Sequence, residues 1–152
     1  MRHKQIVFVV GTPKAQPRAR AGKSGFYTPL TARDWKSSIA YHVSHSTLIE
    51  LLPELPRDTP FWVSAEYRFH RPKSHHGTGR NADKLKPSAP RYHTQKPDRD
   101  NLDKAVLDAF TDIGLWHDDC QVVGGQIQKR WCEPHEGPGC EITIEWEQGD
   151  DE

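Results

Sequence analysis

The sequence predicts an α+β fold, a mixed β-sheet packed with helices in the order β-α-β-loop-α-β-β. Three observations carry this reading. Apolar and polar residues alternate at 61–69 and at 140–147, as in half-buried strands. Leu102, Ala105, Val106, Ala109, Phe110 and Ile113 recur at steps of three and four, as on one face of a helix. A short β-branched run opens the chain before Gly11.

Taken in order, residues 5–10 hold a continuous apolar run from Ile6 to Val10 closed by Gly11, which reads as a buried strand. Residues 12–29 are basic and rich in Pro and Gly, and read as a loop. A helix is predicted over 31–51, with Trp35, Ile39 and Val43 on one face and Pro53 and Pro56 ending it. Phe61, Val63, Ala65, Tyr67 and Phe69 mark the next strand. Residues 71–96 show no sustained period and many Lys, Arg, Pro and Gly, the pattern of a basic loop expected to be mobile without a ligand. The clearest helix follows, with Asp100 at or just before its start and Gly114 at its end. Strands at 122–130 and 140–147, joined by a Gly/Pro-rich turn, complete the order, and 148–152 form an acidic tail.

A chain of 152 residues with 34% apolar residues suits a single domain, 1–152, with a modest core, and 12 prolines imply long irregular segments. Cys120, Cys132 and Cys140 are unevenly spaced and make no disulfide framework, which points to a reducing cytoplasm. The run at 6–10 is too short for a signal peptide. No stretch approaches the roughly 20 apolar residues of a membrane helix, so no membrane association is expected.

Formal net charge is zero, yet the charges are segregated. Lys14, Arg18, Arg20 and Lys23 crowd the first loop, and Arg71, Lys73 and Lys96 belong to a second basic stretch. Both read as phosphate-contacting surfaces. The acids gather instead in a run from Asp98 to Asp119 and in the tail. Basic arms around an acidic centre suit a metal-dependent nuclease.

The centre is Lys96-Pro97-Asp98-Arg99-Asp100-Asn101-Leu102-Asp103-Lys104, followed by Trp116-His117-Asp118-Asp119. Hard cations such as Mg²⁺ prefer carboxylate oxygens and keep several waters, so phosphodiester hydrolysis needs only a few well-placed Asp residues. Asp98 and Asp100 point to one side if their segment is extended. Asp119 offers a third carboxylate, with Asp118 beside it. Lys104, four residues after Asp100, lies on the same side of the first helical turn and suits a point charge on the scissile phosphate. A helix N-cap accounts for Asp98 or Asp100 singly. It does not account for both together with Asp118, Asp119 and Lys104. Asp103, Asp108 and Asp112 are assigned to the solvated helix face. An EF-hand is excluded because Leu102 holds the third ligand position and no glycine holds the sixth. Zinc is disfavoured because no Cys-x-x-Cys or His-x-x-x-His pair exists.

The run Asp98-Arg99-Asp100-Asn101-Leu102-Asp103-Lys104-Ala105, with Leu107-Asp108-Ala109 and Trp116-His117-Asp118-Asp119-Cys120-Gln121-Val122-Val123, resembles the signature of the RusA family of Holliday junction resolvases of bacteria and their phages or prophages. The resemblance implies a homodimeric, Mg²⁺-dependent endonuclease, with Mn²⁺ as a possible substitute, that makes paired nicks in four-way DNA junctions during recombination and repair. It implies metal ligands at Asp98, Asp100 and Asp119, an essential lysine at Lys104 and a neighbouring acidic contributor at Asp118. Two other readings stay open, a DNA-binding protein of the same fold that does not cleave and a nuclease for flaps or forks.

Overall fold

The computed structural model describes residues 1–15, 20–22, 25–27, 30–51 and 54–149. Its strands are β1 (Arg2–Val10), β2 (Arg20–Gly22), β3 (Gly25–Tyr27), β4 (Phe61–Phe69), β5 (Val122–Gly124), β6 (Ile127–Trp131) and β7 (Gly139–Glu147). Its helices are α1 (Leu30–Ser44), α2 (Leu48–Leu51) and α3 (Arg99–Asp112). The α+β class is as predicted. The predicted order is altered by a small β2–β3 hairpin inside the first basic loop, a split helix and a split strand.

β4 is central to the main sheet. Antiparallel pairing with β7 on one side continues to β1, and parallel pairing on the other joins β4 to β5 and β6. The sheet is therefore mixed. Phe61, Val63, Ala65, Tyr67 and Phe69 of β4 and Cys140, Ile142, Ile144 and Trp146 of β7 are buried on one face. That face joins Trp35, Ile39 and Val43 of α1 and Leu102, Val106 and Phe110 of α3 in one hydrophobic cluster. Burial of such side chains, at roughly 1.5–3 kcal/mol each, is the main favourable term holding the helices to the sheet.

β1 corrects the expectation of a buried strand. It is the edge of the main sheet, and while Val7 and Val9 enter the core, Ile6, Phe8 and Val10 are 40%, 56% and 71% exposed. A continuous apolar run here means two apolar faces, of which the helices cover one.

The helix predicted over 31–51 breaks after Ser44. The backbone N–H and the hydroxyl of Ser46 both donate to the carbonyl of Val43, at 3.0 and 2.6 Å, which turns the chain before α2. The strand predicted over 122–130 breaks at Gly125, which has φ +135° and whose missing Cβ would stand 1.8 Å from the Val63 carbonyl oxygen. Only glycine allows that approach. α3 ends as predicted: Gly114 has φ +77°, and Leu115 N–H donates to Phe110 O at 3.1 Å.

Residues 71–96 leave β4 and return to α3. Two 3₁₀ turns, Lys73–His75 and Gly79–Asn81, lie within them. Arg71 is buried and donates from Nε to Cys132 O and from Nη1 to Pro90 O, each at 2.7 Å. His93 stacks on Phe69 with ring centroids 4.0 Å apart and lies 4.4 Å from the Trp131 ring. Both ends of the segment are thus fastened to the β4–β6 side of the sheet.

Candidate active site

Asp98 occupies the N-cap of α3 with extended backbone (φ −71°, ψ 146°). Its carbonyl accepts Leu102 N–H at 3.1 Å, but its carboxylate makes no cap hydrogen bond and is exposed. The capping role that would explain an Asp here is unused. Asp100 is exposed in the first turn, where its Oδ1 accepts Asn101 N–H at 3.0 Å. Lys129, on β6, faces this end. Its ammonium donates to Gln95 O at 2.5 Å, and its pKa is lowered by burial against the opposing charge of Asp98.

The second acidic group stands on the turn Asp119–Gln121. Asp118 caps it: Oδ1 accepts Cys120 N–H at 2.9 Å, and Gln121 Oε1 accepts the N–H of His117 at 2.9 Å and of Asp118 at 3.2 Å. Gln121 Nε2 donates in turn to Thr59 O at 3.1 Å, which ties the turn to the approach to β4. Trp116 is buried against Phe61 and Phe110 and donates from Nε1 to Thr111 Oγ1 at 2.8 Å. The two exposed carboxyl groups therefore rest on a fixed base.

Their electrostatics are unequal. Asp118 is held below its ordinary value, first by the Cys120 N–H, then by the Cys120 thiol and the Asp119 side chain. Asp119 is raised, first by its hydrogen bond to Asp118, then by burial and by the charges of Asp118 and Asp108, with Lys104 opposing. Negative charge at this turn exceeds what the lysine balances.

Asp100, Lys104 and Asp108 are spaced four residues apart along α3, about 6 Å per step, so they line one side of the helix. Lys104 and Asp108 both act on Asp119, which brings α3 and the 119–121 turn together. Asp98 and Asp100 stand at the other end of that line. Among the described residues, no three Asp, Glu, His or Cys side chains converge as a ready-made metal cage.

Asp108, on the helix face that the sequence assigns to solvent, lies instead within the field of Asp119. Its spacing from Lys104 is the signal that identifies it. Asp103 also departs from the solvated face: it is half-buried, its carboxyl is raised by burial, and its charge bears on Tyr67 and Cys140 beneath α3. Asp112 does face solvent and pairs with Lys36 at 3.1 Å.

Of the proposed DNA contacts, Lys14, Lys73 and Lys96 are exposed. Arg71 differs, because its guanidinium is buried and engaged with the two carbonyls that hold the 71–96 segment. Arg20 falls in β2, while Arg18 and Lys23 lie outside the described residues, as does the tail from 150 on.

Residues 10–145 match the sequence model of the family described as Endodeoxyribonuclease RusA. The chain belongs to the RusA endodeoxyribonuclease family. The match spans β4, α3 and the 119–121 turn, so both acidic groups and Lys104 fall inside the RusA region. RusA enzymes are nucleases that act on branched DNA at Holliday junctions. No protein of a curated set matches the chain. No helix among the described residues is long and apolar enough to cross a membrane.

Proposed function

We propose that this chain is a Mg²⁺-dependent endonuclease that makes paired nicks in four-way DNA junctions as a homodimer, in recombination and repair within a bacterial cell. The observation that carries the reading is the match to the RusA family over residues 10–145, which takes in the exposed carboxylates of Asp98, Asp100 and Asp119 together with the exposed Lys104.

The donor set fits a hard cation. It consists of carboxylate oxygens only, exposed at Asp98, Asp100 and Asp119, and Mg²⁺ needs just one or two carboxylates because water and substrate phosphate complete its shell. Asp98, Asp100 and Asp119 would hold the ion, which when bound would neutralise charge on the phosphoryl oxygens. Asp118 keeps the Asp119 turn in place through the Cys120 N–H. Lys104 draws the scissile phosphate toward the acids and opposes the charge that grows on its non-bridging oxygens. Exposed lysines such as Lys14, Lys73 and Lys96 hold the flanking DNA.

An exposed face of the sheet supports a second copy. The stripe of Ile6, Phe8 and Val10 is the apolar surface that a partner would cover, and a two-fold dimer would present two identical sites to a junction of similar symmetry.

The test is nicking of labelled four-way, forked and linear DNA with and without Mg²⁺, with Asp100→Asn alongside. Paired, Mg²⁺-dependent nicks fastest in the four-way junction are expected, and none from the variant. Binding without products from the wild type would make the chain a non-cleaving DNA-binding protein. Faster cutting of forks would reassign it as a fork or flap nuclease.

A further inference from the structure

The 71–96 segment holds seven Lys and Arg residues against one acid, Asp83. Part of it is a closed fold. Gly77 N–H donates to Lys84 O at 2.9 Å, Lys86 N–H to His75 O at 2.9 Å, and His76 pairs with Leu85 in an antiparallel bridge. Gly77 is needed for this closure, since a Cβ there would stand 2.7 Å from the Asn81 carbonyl oxygen. The fold borders an open cavity of ≈ 560 Å³ lined by Lys73, Ser74, His76, Thr78 and Lys86, among others.

Among the described residues neither Lys73 nor Lys86 forms an ion pair. Two lysines, a histidine and two hydroxyl residues thus border one space with no carboxylate in its lining. The local field is positive at a neighbouring group too: His75 is held below its ordinary value by burial, then by the charges of Arg71, His76 and Lys86.

We propose that this cavity is a cradle for a DNA strand, in which Lys73 and Lys86 hold a backbone phosphate apart from the one that is cut. The proposal rests on the endonuclease reading above. The open space of ≈ 560 Å³ has room for a nucleotide within a strand, and its two lysines suit the backbone phosphate of that nucleotide.

The cradle is fixed relative to the acids. Residues 91–95 return along β6, with Trp131 N–H donating to Arg91 O at 2.9 Å, a Tyr92–Arg130 bridge and His93 N–H donating to Lys129 O at 3.2 Å. These bonds tie the chain that follows the cradle to β6, whose Lys129 lies in the field of Asp98.

The test measures binding of a labelled four-way junction across a salt series in EDTA, so that cleavage does not enter. Lys73→Ala/Lys86→Ala should lower the slope of log affinity against log salt by about 0.9, the loss of one phosphate contact. Gly77→Val, which removes no charge but obstructs the closure, should also weaken binding while melting and circular dichroism of the domain stay unchanged. Arg80→Ala/Lys84→Ala removes equal charge outside the lining and should change the slope less. Equal slopes for the two double variants, or a wild-type slope for Lys73→Ala/Lys86→Ala, would overturn the cradle. So would protection of Lys73 and Lys86 from acetylation by inorganic phosphate as full as that by the junction. Wild-type nicking in Mg²⁺ is measured separately, and its absence would overturn the endonuclease reading while the salt slopes still decide the cradle.

Discussion

The Asp118 carboxylate accepts the backbone N–H of Cys120 at 2.9 Å, and this bond makes two adjacent aspartates unlike. An N–H aimed at a carboxylate favours its ionised form, so Asp118 loses its proton first and Asp119 keeps one longer. In Asp118→Asn the charge and the shared proton site go together. Asp119 should then titrate at lower pH than in the wild type. Carbon-detected NMR of the Asp119 carboxyl in metal-free protein reads this directly, and an unchanged or higher titration point would break the proposed coupling.

Cleavage should depend on groups from the start of α3 and from the 119–121 turn. Asp98→Asn, Asp100→Asn, Asp119→Asn and Lys104→Ala should each reduce junction nicking by about 10²-fold or more, with folding and DNA binding retained. Asp112→Asn is the contrast, because it breaks only a surface pair with Lys36, worth about 1 kcal/mol at most. Single-turnover nicking alongside a binding titration separates the two cases, and near wild-type nicking by any of the four would remove that residue from the site.

Glu136 should govern acid stability. Arg130 grips it with two bonds, at 2.6 and 2.9 Å, and Arg68 adds a third at 3.4 Å, which holds its carboxyl down to about 2. A folded-state value below the unfolded one means the stabilisation is complete above the ordinary Glu range. It is lost as pH falls toward about 2. At neutral pH Glu136→Gln should cost about 1–3 kcal/mol. Urea melts at a series of pH values should show that gap closing as the solution is acidified, and a gap independent of pH would assign the loss to packing instead.

Phe8→Asp should weaken self-association. Phe8 is 56% exposed between Ile6 and Val10 on an edge strand, so a charge there spoils a face-to-face apolar contact but disturbs little in the monomer. Sedimentation should show a dimer for the wild type and a monomer for the variant. Equal masses for the two would place the partner elsewhere or exclude it.

Much of this architecture is legible from local pattern. Alternation at 61–69 marks β4 residue for residue, and the 3.6-residue repeat from Leu102 to Ile113 gives α3 within its capping residues. What local pattern cannot carry is the neighbour. Ile6 and Val7 look alike in sequence, and only the face of the sheet that the helices leave uncovered exposes one of them. Arg71 resembles every other basic residue of its segment until two carbonyls, from Cys132 and Pro90, are found within reach of its guanidinium. Gly125 divides β5 from β6 because of a carbonyl more than 60 residues earlier, at Val63. In the candidate site, Asp98, Asp100 and Lys104 are legible as residue types around the start of a helix, and Asp119 as a further acid at the entry to the next strand. The influence of Asp108 and the burial of Asp103 depend on which element lies against α3.

α3 works as a ruler. It keeps the acids at its first turn at a set distance and angle from those on the 119–121 turn, and each residue advances it by about 1.5 Å and 100°. One residue added between Asp100 and Lys104 would swing the first acids away from the line of Lys104 and Asp108 without altering any side chain. Loops on either side can lengthen freely, but the count of residues inside this helix cannot change without taking the two halves of the site apart.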